Sequence, residues 1–186
     1  MKVIPPLLGA VFSVLLTPGA GAQPAETPAG PEMERLARAL AGKWNSIETM
    51  ERSAEFPDGG SRQGVVEARL AAGGTTLVYE VHSDGTAGKL DGFLAFWWSP
   101  DAKLYDVFVC FNSPRHPCRM RGTAHWEGDL FVNDYDSAAG GKTTRWRDTF
   151  RFTLTTHTLL AAIDTGGGAM KTLIATEAKR QAAGAR

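Results

Sequence analysis

The stretch RLARALAGKWNSIETM, residues 35–50, changes rhythm in its middle. Up to Leu40 the apolar residues Met33, Leu36, Ala37 and Leu40 recur at three- and four-residue steps, which sets them along one stripe of a helix. Pro31 stands where a first helical turn tolerates it. After Gly42 the spacing becomes two: Trp44, Ser46, Glu48 and Met50 share one side of an extended chain, and the residues between them share the other. The sequence therefore predicts a short helix that stops near Gly42 and runs into a strand opening with Trp44.

From Lys43 onward nearly every segment reads as a strand. Val, Phe, Trp, Tyr and Thr lie between Gly, Asp, Asn and Pro breaks, at intervals of roughly 8 to 12 residues. Strands are expected near 43–54, 62–72, 75–83, 91–99, 103–111, 118–126, 129–136, 143–155, 158–164 and 169–178. Short connections make this an antiparallel meander. A two-residue turn at Gly73-Gly74 sets Leu70 opposite Leu77, Ala68 opposite Tyr79 and Val66 opposite Val81. The turn SPDAK likewise sets Trp98 against Tyr105, Phe96 against Val107 and Leu94 against Val109. Both registers collect the apolar residues on one face. An open meander of about ten strands leaves two long unpaired edges, and closing it into a barrel removes them.

A helix, then Gly-x-Trp, then a meander resembles the lipocalin and calycin barrels, in which that Trp packs across the closed end. The motifs LAGKW…ETM, ARL before a Gly-Gly turn and LVYE, DGFLAFWWSPDAKLYDVFV and GTAHWEGDLF resemble a family of exported bacterial proteins with such a barrel and no assigned activity. The resemblance implies an all-β, ten-stranded, up-and-down calycin/lipocalin-like barrel behind one short N-terminal helix, with Trp44 as barrel-end packing. It also suggests a basic residue near the last strand, such as Lys179, as a cap on Trp44. Haem-binding barrels of similar build carry an axial His that no His of this sequence matches, so no cofactor is expected, with haem the alternative.

Lys2, the apolar run LLGAVFSVLL over 7–16 and the small residues before Gln23 read as a secretory signal peptide, 1–22, cut after Ala22. The apolar run, at about ten residues, is too short to span a bilayer as a helix. A Pro/Ala/Gly linker follows over 23–31, then a single barrel domain over 32–180 and a disordered tail over 181–186. The expected location is periplasmic or extracellular. Lys+Arg and Asp+Glu number 20 each, so no field recruits nucleic acid. In an oxidising compartment Cys110 and Cys118, which bracket FNSPRHP, are expected to form a disulfide, with free thiols the alternative. His82, His116, His125 and His157 are scattered and read as surface or loop residues, so no metal site is expected.

No Gly-x-Ser-x-Gly elbow or zinc-protease helix is present. The leading expectation is a barrel that binds a small hydrophobic ligand without transforming it. Tyr79, Leu94, Phe96, Trp98, Tyr105 and Val107 are the candidate lining, and Glu48 and Asp148 the candidate polar anchors. Access is expected through the end opposite Trp44, with Trp98 and Tyr105 at that rim. One alternative is a structural or interaction module whose barrel is filled by side chains. The other is an acid/base enzyme using Glu48 and Asp148, although pairing with Arg145, Arg147 or Arg151 explains those carboxylates more simply. The outward set Phe93, Ala95, Trp97, Leu104 and Phe108 suggests a homodimer, unless the helix covers it.

Overall fold

In the computed structural model, which describes residues 30–113, 118, 120–139 and 141–182, the change of rhythm at Gly42 is the joint between helix α1 (Pro31–Leu40) and strand β1 (Gly42–Met50). The expected signal peptide, the linker up to residue 29, His116 and residues 183–186 of the tail lie outside the described residues. The remaining strands are β2 (Gly60–Ala71), β3 (Thr76–Gly85), β4 (Leu90–Ser99), β5 (Leu104–Phe111), β6 (Met120–Glu127), β7 (Leu130–Ala139), β8 (Lys142–Phe152), β9 (Thr156–Asp164) and β10 (Met170–Arg180). Each pairs antiparallel with the next, and β1 pairs with β10 from Trp44↔Arg180 to Met50↔Ile174. The sheet closes. The all-β barrel with one short N-terminal helix is thus as the sequence predicts.

The registers follow the apolar alternation. Leu70 faces Leu77, Ala68 faces Tyr79 and Val66 faces Val81, while Leu94, Phe96 and Trp98 face Val109, Val107 and Tyr105. The turn between β2 and β3 is wider than two residues. It runs through a 3-10 turn at Ala72–Gly74 with φ of 49°, 66° and 89°, and both the amide and the hydroxyl of Thr75 donate to the Ala72 carbonyl. One residue is lost from each strand, so the register is unchanged.

Helix α1 closes one end of the barrel. Its buried stripe, Met33, Leu36 and Leu40, joins the same core as Trp44, Phe96, Tyr105, Phe131 and Phe150. Trp44 Nε1 donates to the Leu40 carbonyl at 2.8 Å and Tyr105 Oη donates to the Glu32 carbonyl at 2.8 Å, which ties the helix down. The cation over Trp44 is Arg180, 4.0 Å from the ring, and it also donates to the Ala41 carbonyl. Lys179, suggested for that role, is one residue out of phase and points to solvent. These contacts explain Gly42. Its φ of 126° is one that side chains resist, and a Cβ there would lie 2.6 Å from Arg180 Nη1.

Because the apolar stripe of α1 faces the barrel end, the helix is not the expected cover for the outward face of β4 and β5. There Phe93, Ala95, Trp97, Leu104 and Phe108 are half-buried, and Phe93 and Phe108 pack at 6.0 Å between ring centres. Among the described residues, no helix is long and apolar enough to cross a membrane.

Candidate functional site

The barrel is filled at one end and hollow towards the other. Around α1 the aromatic rings interlock: Phe131 lies 5.5 Å from Phe96, 5.3 Å from Tyr105 and 5.0 Å from Trp126. Beyond them lies a cavity of about 100 Å³. Its wall is mostly apolar, with Val66 from β2, Val81 from β3, Leu90 and Leu94 from β4, Phe150 from β8, Leu159 from β9 and Ile174 from β10. Phe56, from the loop between β1 and β2, and Phe111, at the end of β5, complete it at the open end. The Phe56 loop is shaped by its own hydrogen bonds, Ser53 N and Gly59 N both donating to the Phe56 carbonyl at 2.9 and 3.0 Å. The disulfide between Cys110 and Cys118 tethers the loop that follows Phe111, on the same side. Gly92 lies between Leu90 and Leu94 on the inner face of β4, where a Cβ would collide with the Cys110 carbonyl and Phe111.

The polar part of the wall has two poles. On β1 and β2, Glu48 Oε2 accepts from Arg62 Nε at 2.9 Å and lies 2.7 Å from Arg62 Nη2, with both side chains almost wholly buried. Each carboxylate or guanidinium out of water carries a heavy desolvation cost, which only close pairing offsets. On β8, Asp148 has no such partner. Asn133 Nδ2 donates to its Oδ2 at 3.4 Å and Tyr135 also hydrogen-bonds it, but Oδ1 has no protein partner. Burial pushes the Asp148 carboxyl up to about 7 against the lowering effect of Asn133 and Tyr135. Burial also raises the Tyr79 phenol, with the charges of Glu48 and then Asp148 adding to it, so the phenol stays neutral. Ser46, Ser83 and Thr176 are buried with hydroxyls that have no protein partner.

Below Tyr79, its hydroxyl meets His157 Nε2 at 3.1 Å. His157 is 1% exposed, edge-on to Trp44 at 4.6 Å, and burial followed by the Arg180 charge lowers it to about 4. This overturns its expected surface position: β9 begins at Thr156, so His157 is its first inward residue. His82 and His125 are accessible and sit against Asp91 and Glu127 at 3.0 and 2.9 Å. Among the described residues, no group of three or more His, Cys, Asp or Glu is placed to hold a metal ion.

Of the candidate site residues, the wall includes Glu48, Tyr79, Leu94 and Asp148. It does not include Phe96, Trp98, Tyr105 or Val107, which are packed into the filled end. Trp98 and Tyr105 lie against each other at 5.0 Å, and Trp126 Nε1 donates to the Tyr105 hydroxyl at 3.2 Å. The rim expected there is instead the plugged end. The reason is parity. β1 leaves the helix end, β2 returns to it, β3 leaves and β4 returns, so the SPDAK turn must lie beside α1. Counting strands in the meander would have shown this.

Arg62 was not among the candidates although its position follows from the register, since Trp44↔Val66 extends to Glu48↔Arg62. Arg145, Arg147 and Arg151 are not partners of the two carboxylates. Arg147 pairs on the outer face with Asp134, at 2.8 and 2.9 Å. Tyr135, Trp146 and Thr176 also reach the wall from strands whose inward phase the sequence already contains.

No protein-family model and no curated protein sequence matches this chain. Solved structures do. Rv2717c from M. tuberculosis aligns with a TM-score of 0.58 at 15% identity, over 83% of this chain and 99% of that one. The S-type phycobiliprotein lyase CPES from Guillardia theta aligns with a TM-score of 0.52 at 12% identity, over 81% of this chain and 93% of that one. The shared feature is a calycin-like barrel. Identities this low establish the fold and carry no chemistry across.

Proposed function

We propose that this chain is an exported binding protein whose barrel takes up one small, largely apolar molecule without transforming it. The observation behind the reading is the cavity of about 100 Å³, apolar over most of its wall and polar at Glu48–Arg62 and Asp148. Ligand sites commonly combine an apolar wall with a few oriented polar groups. The size limits the occupant, since an engineered apolar cavity of roughly 150 Å³ takes up benzene. The space here is smaller than that, so an unsubstituted ring is the upper limit for the enclosed part, and a substituted ring requires the Phe56 side of the cavity to open.

Catalysis has less support. Asp148 can hold or release a proton near neutrality, but Glu48 Oε2 is engaged twice by Arg62, which removes the second half of an acid/base pair. The filled-barrel alternative describes the α1 end only.

Trp146 lines the cavity and reports on it. Titrating the mature protein with toluene is expected to give saturable Trp quenching and a one-to-one adduct by native mass spectrometry. Leu94→Phe is expected to block uptake, whereas Trp98→Ala leaves it in place while lowering stability. Absence of any saturable binding by either method overturns the reading and favours a structural module.

A further inference from the structure

The inner wall carries two carboxylates and one guanidinium, and they are matched unequally. Arg62 directs both Nε and Nη2 at Glu48, which makes a neutral, closed pair. Among the described residues, no cation pairs with Asp148. It is 5% exposed and keeps one oxygen, Oδ1, without a protein partner. The groups packed around it are Asn133 and Tyr135 from β7, Trp146 and Phe150 beside it on β8, and Ala161 across on β9. From the far side, Tyr79 and Glu48 make themselves felt through Tyr79's own response to both charges. Asp134, on the outer face of β7, adds a further negative charge and is itself paired with Arg147.

A ligand therefore meets an interior short of positive charge. Once Asp148 is ionised, from about pH 7 upward, a carboxylate entering this interior would face a like charge, and it could reach a guanidinium only by opening the Glu48–Arg62 pair and stranding Glu48 in a buried setting. An N–H or ammonium group meets the opposite situation, because it supplies the donor that Asp148 lacks.

We infer that the barrel selects a small ligand whose polar end is a hydrogen-bond donor, foremost an ammonium, set against Asp148, and that it rejects the same hydrocarbon bearing a carboxylate. This rests on the binding reading above and adds the chemical class of the ligand. The orphaned hydroxyls of Ser46, Ser83 and Thr176 lie around the other pole: Ser46 and Ser83 both face Gly64 across neighbouring strands, and Thr176 faces Glu48. Of the three, Thr176 reaches the cavity wall and extends the donor and acceptor choices there without adding charge.

The test compares four probes of one ring each, toluene, benzyl alcohol, benzylamine and benzoate, by calorimetric titration of the mature protein. Benzylamine is expected to bind at pH 7 about tenfold or more tightly than benzoate. Asp148→Asn is expected to abolish the advantage of the amine over the alcohol, and a variant that keeps that advantage overturns the inference. The parent protein supplies an independent arm that does not depend on the variant folding. Asp148 holds its proton up to about 7, so docking an ammonium must release that proton, and affinity for benzylamine is expected to drop about tenfold per pH unit from 7 to 5. Toluene affinity is expected to stay level. Benzoate binding as tightly as benzylamine, or a level benzylamine profile, overturns this inference and leaves the binding reading intact. Failure of all four probes, toluene included, overturns both.

Discussion

Replacing Asp148 with Asn should change how stability depends on pH, and the sign follows from two buried groups displaced in opposite directions. His157 is lowered from 6.5 to about 4 in the folded chain. Between those values the unfolded chain carries a proton that the folded chain does not, so stability falls as pH drops from 6.5 towards 4. At about 1.4 kcal/mol per unit this amounts to about 3 kcal/mol. Asp148 is raised from 3.8 to about 7. Here the folded chain holds the extra proton, so its contribution is most favourable below 3.8 and is lost as pH rises through 7, by about 4 kcal/mol. From pH 4 to 6.5 the two slopes oppose and nearly cancel. Asp148→Asn removes the second slope, so the variant should gain on the parent by about 3 kcal/mol between pH 4 and pH 7. Because every other titrating group is common to both proteins, the difference isolates Asp148. Urea unfolding of both proteins at half-unit steps, with slopes checked for equality, measures it. Two profiles that stay parallel within about 1 kcal/mol across this range would refute the placement of Asp148 as an unpaired buried acid.

Three further outcomes are expected. Arg62→Met should destabilise by about 3 to 5 kcal/mol because Glu48 is left charged and buried, and adding Glu48→Gln should recover most of it; a double variant no better than the single one contradicts the pairing. Trp44→Ala should cost about 3 to 5 kcal/mol in chemical unfolding, through lost core packing and the lost bond to Leu40, with toluene uptake retained; a cost below about 1 kcal/mol would show that the helix end is not anchored there. Protein recovered from the periplasm or medium of an expressing bacterium should begin at Gln23 by N-terminal sequencing, and a recovered chain that keeps Met1 would refute export.

What was legible in the sequence was whatever has a local period. The three- and four-residue stripe of α1, the two-residue alternation of the strands and the glycine-marked turns each depend on a few neighbouring residues, and together they place the ten strands, the registers of the β2–β3 and β4–β5 hairpins and most inward faces, but not His157, which lies one residue ahead of its expected strand. Gly42-Lys43-Trp44 is legible for the same reason, as the point where one period gives way to the other. The tertiary structure alone decided where along the barrel axis each inward residue lies and which distant strand supplies its partner. Phe96 and Leu94 share a face and a strand, yet one is locked among rings under the helix and the other borders the cavity. Glu48 and Asp148 look alike in sequence, a carboxylate in an alternating apolar strand, but one meets Arg62 across a hydrogen-bonded ladder and the other meets only an amide and a phenol. The difference between a closed ion pair and a buried carboxyl oxygen without a donor depends on distances of a few ångströms between residues far apart in the chain, and no local pattern encodes those.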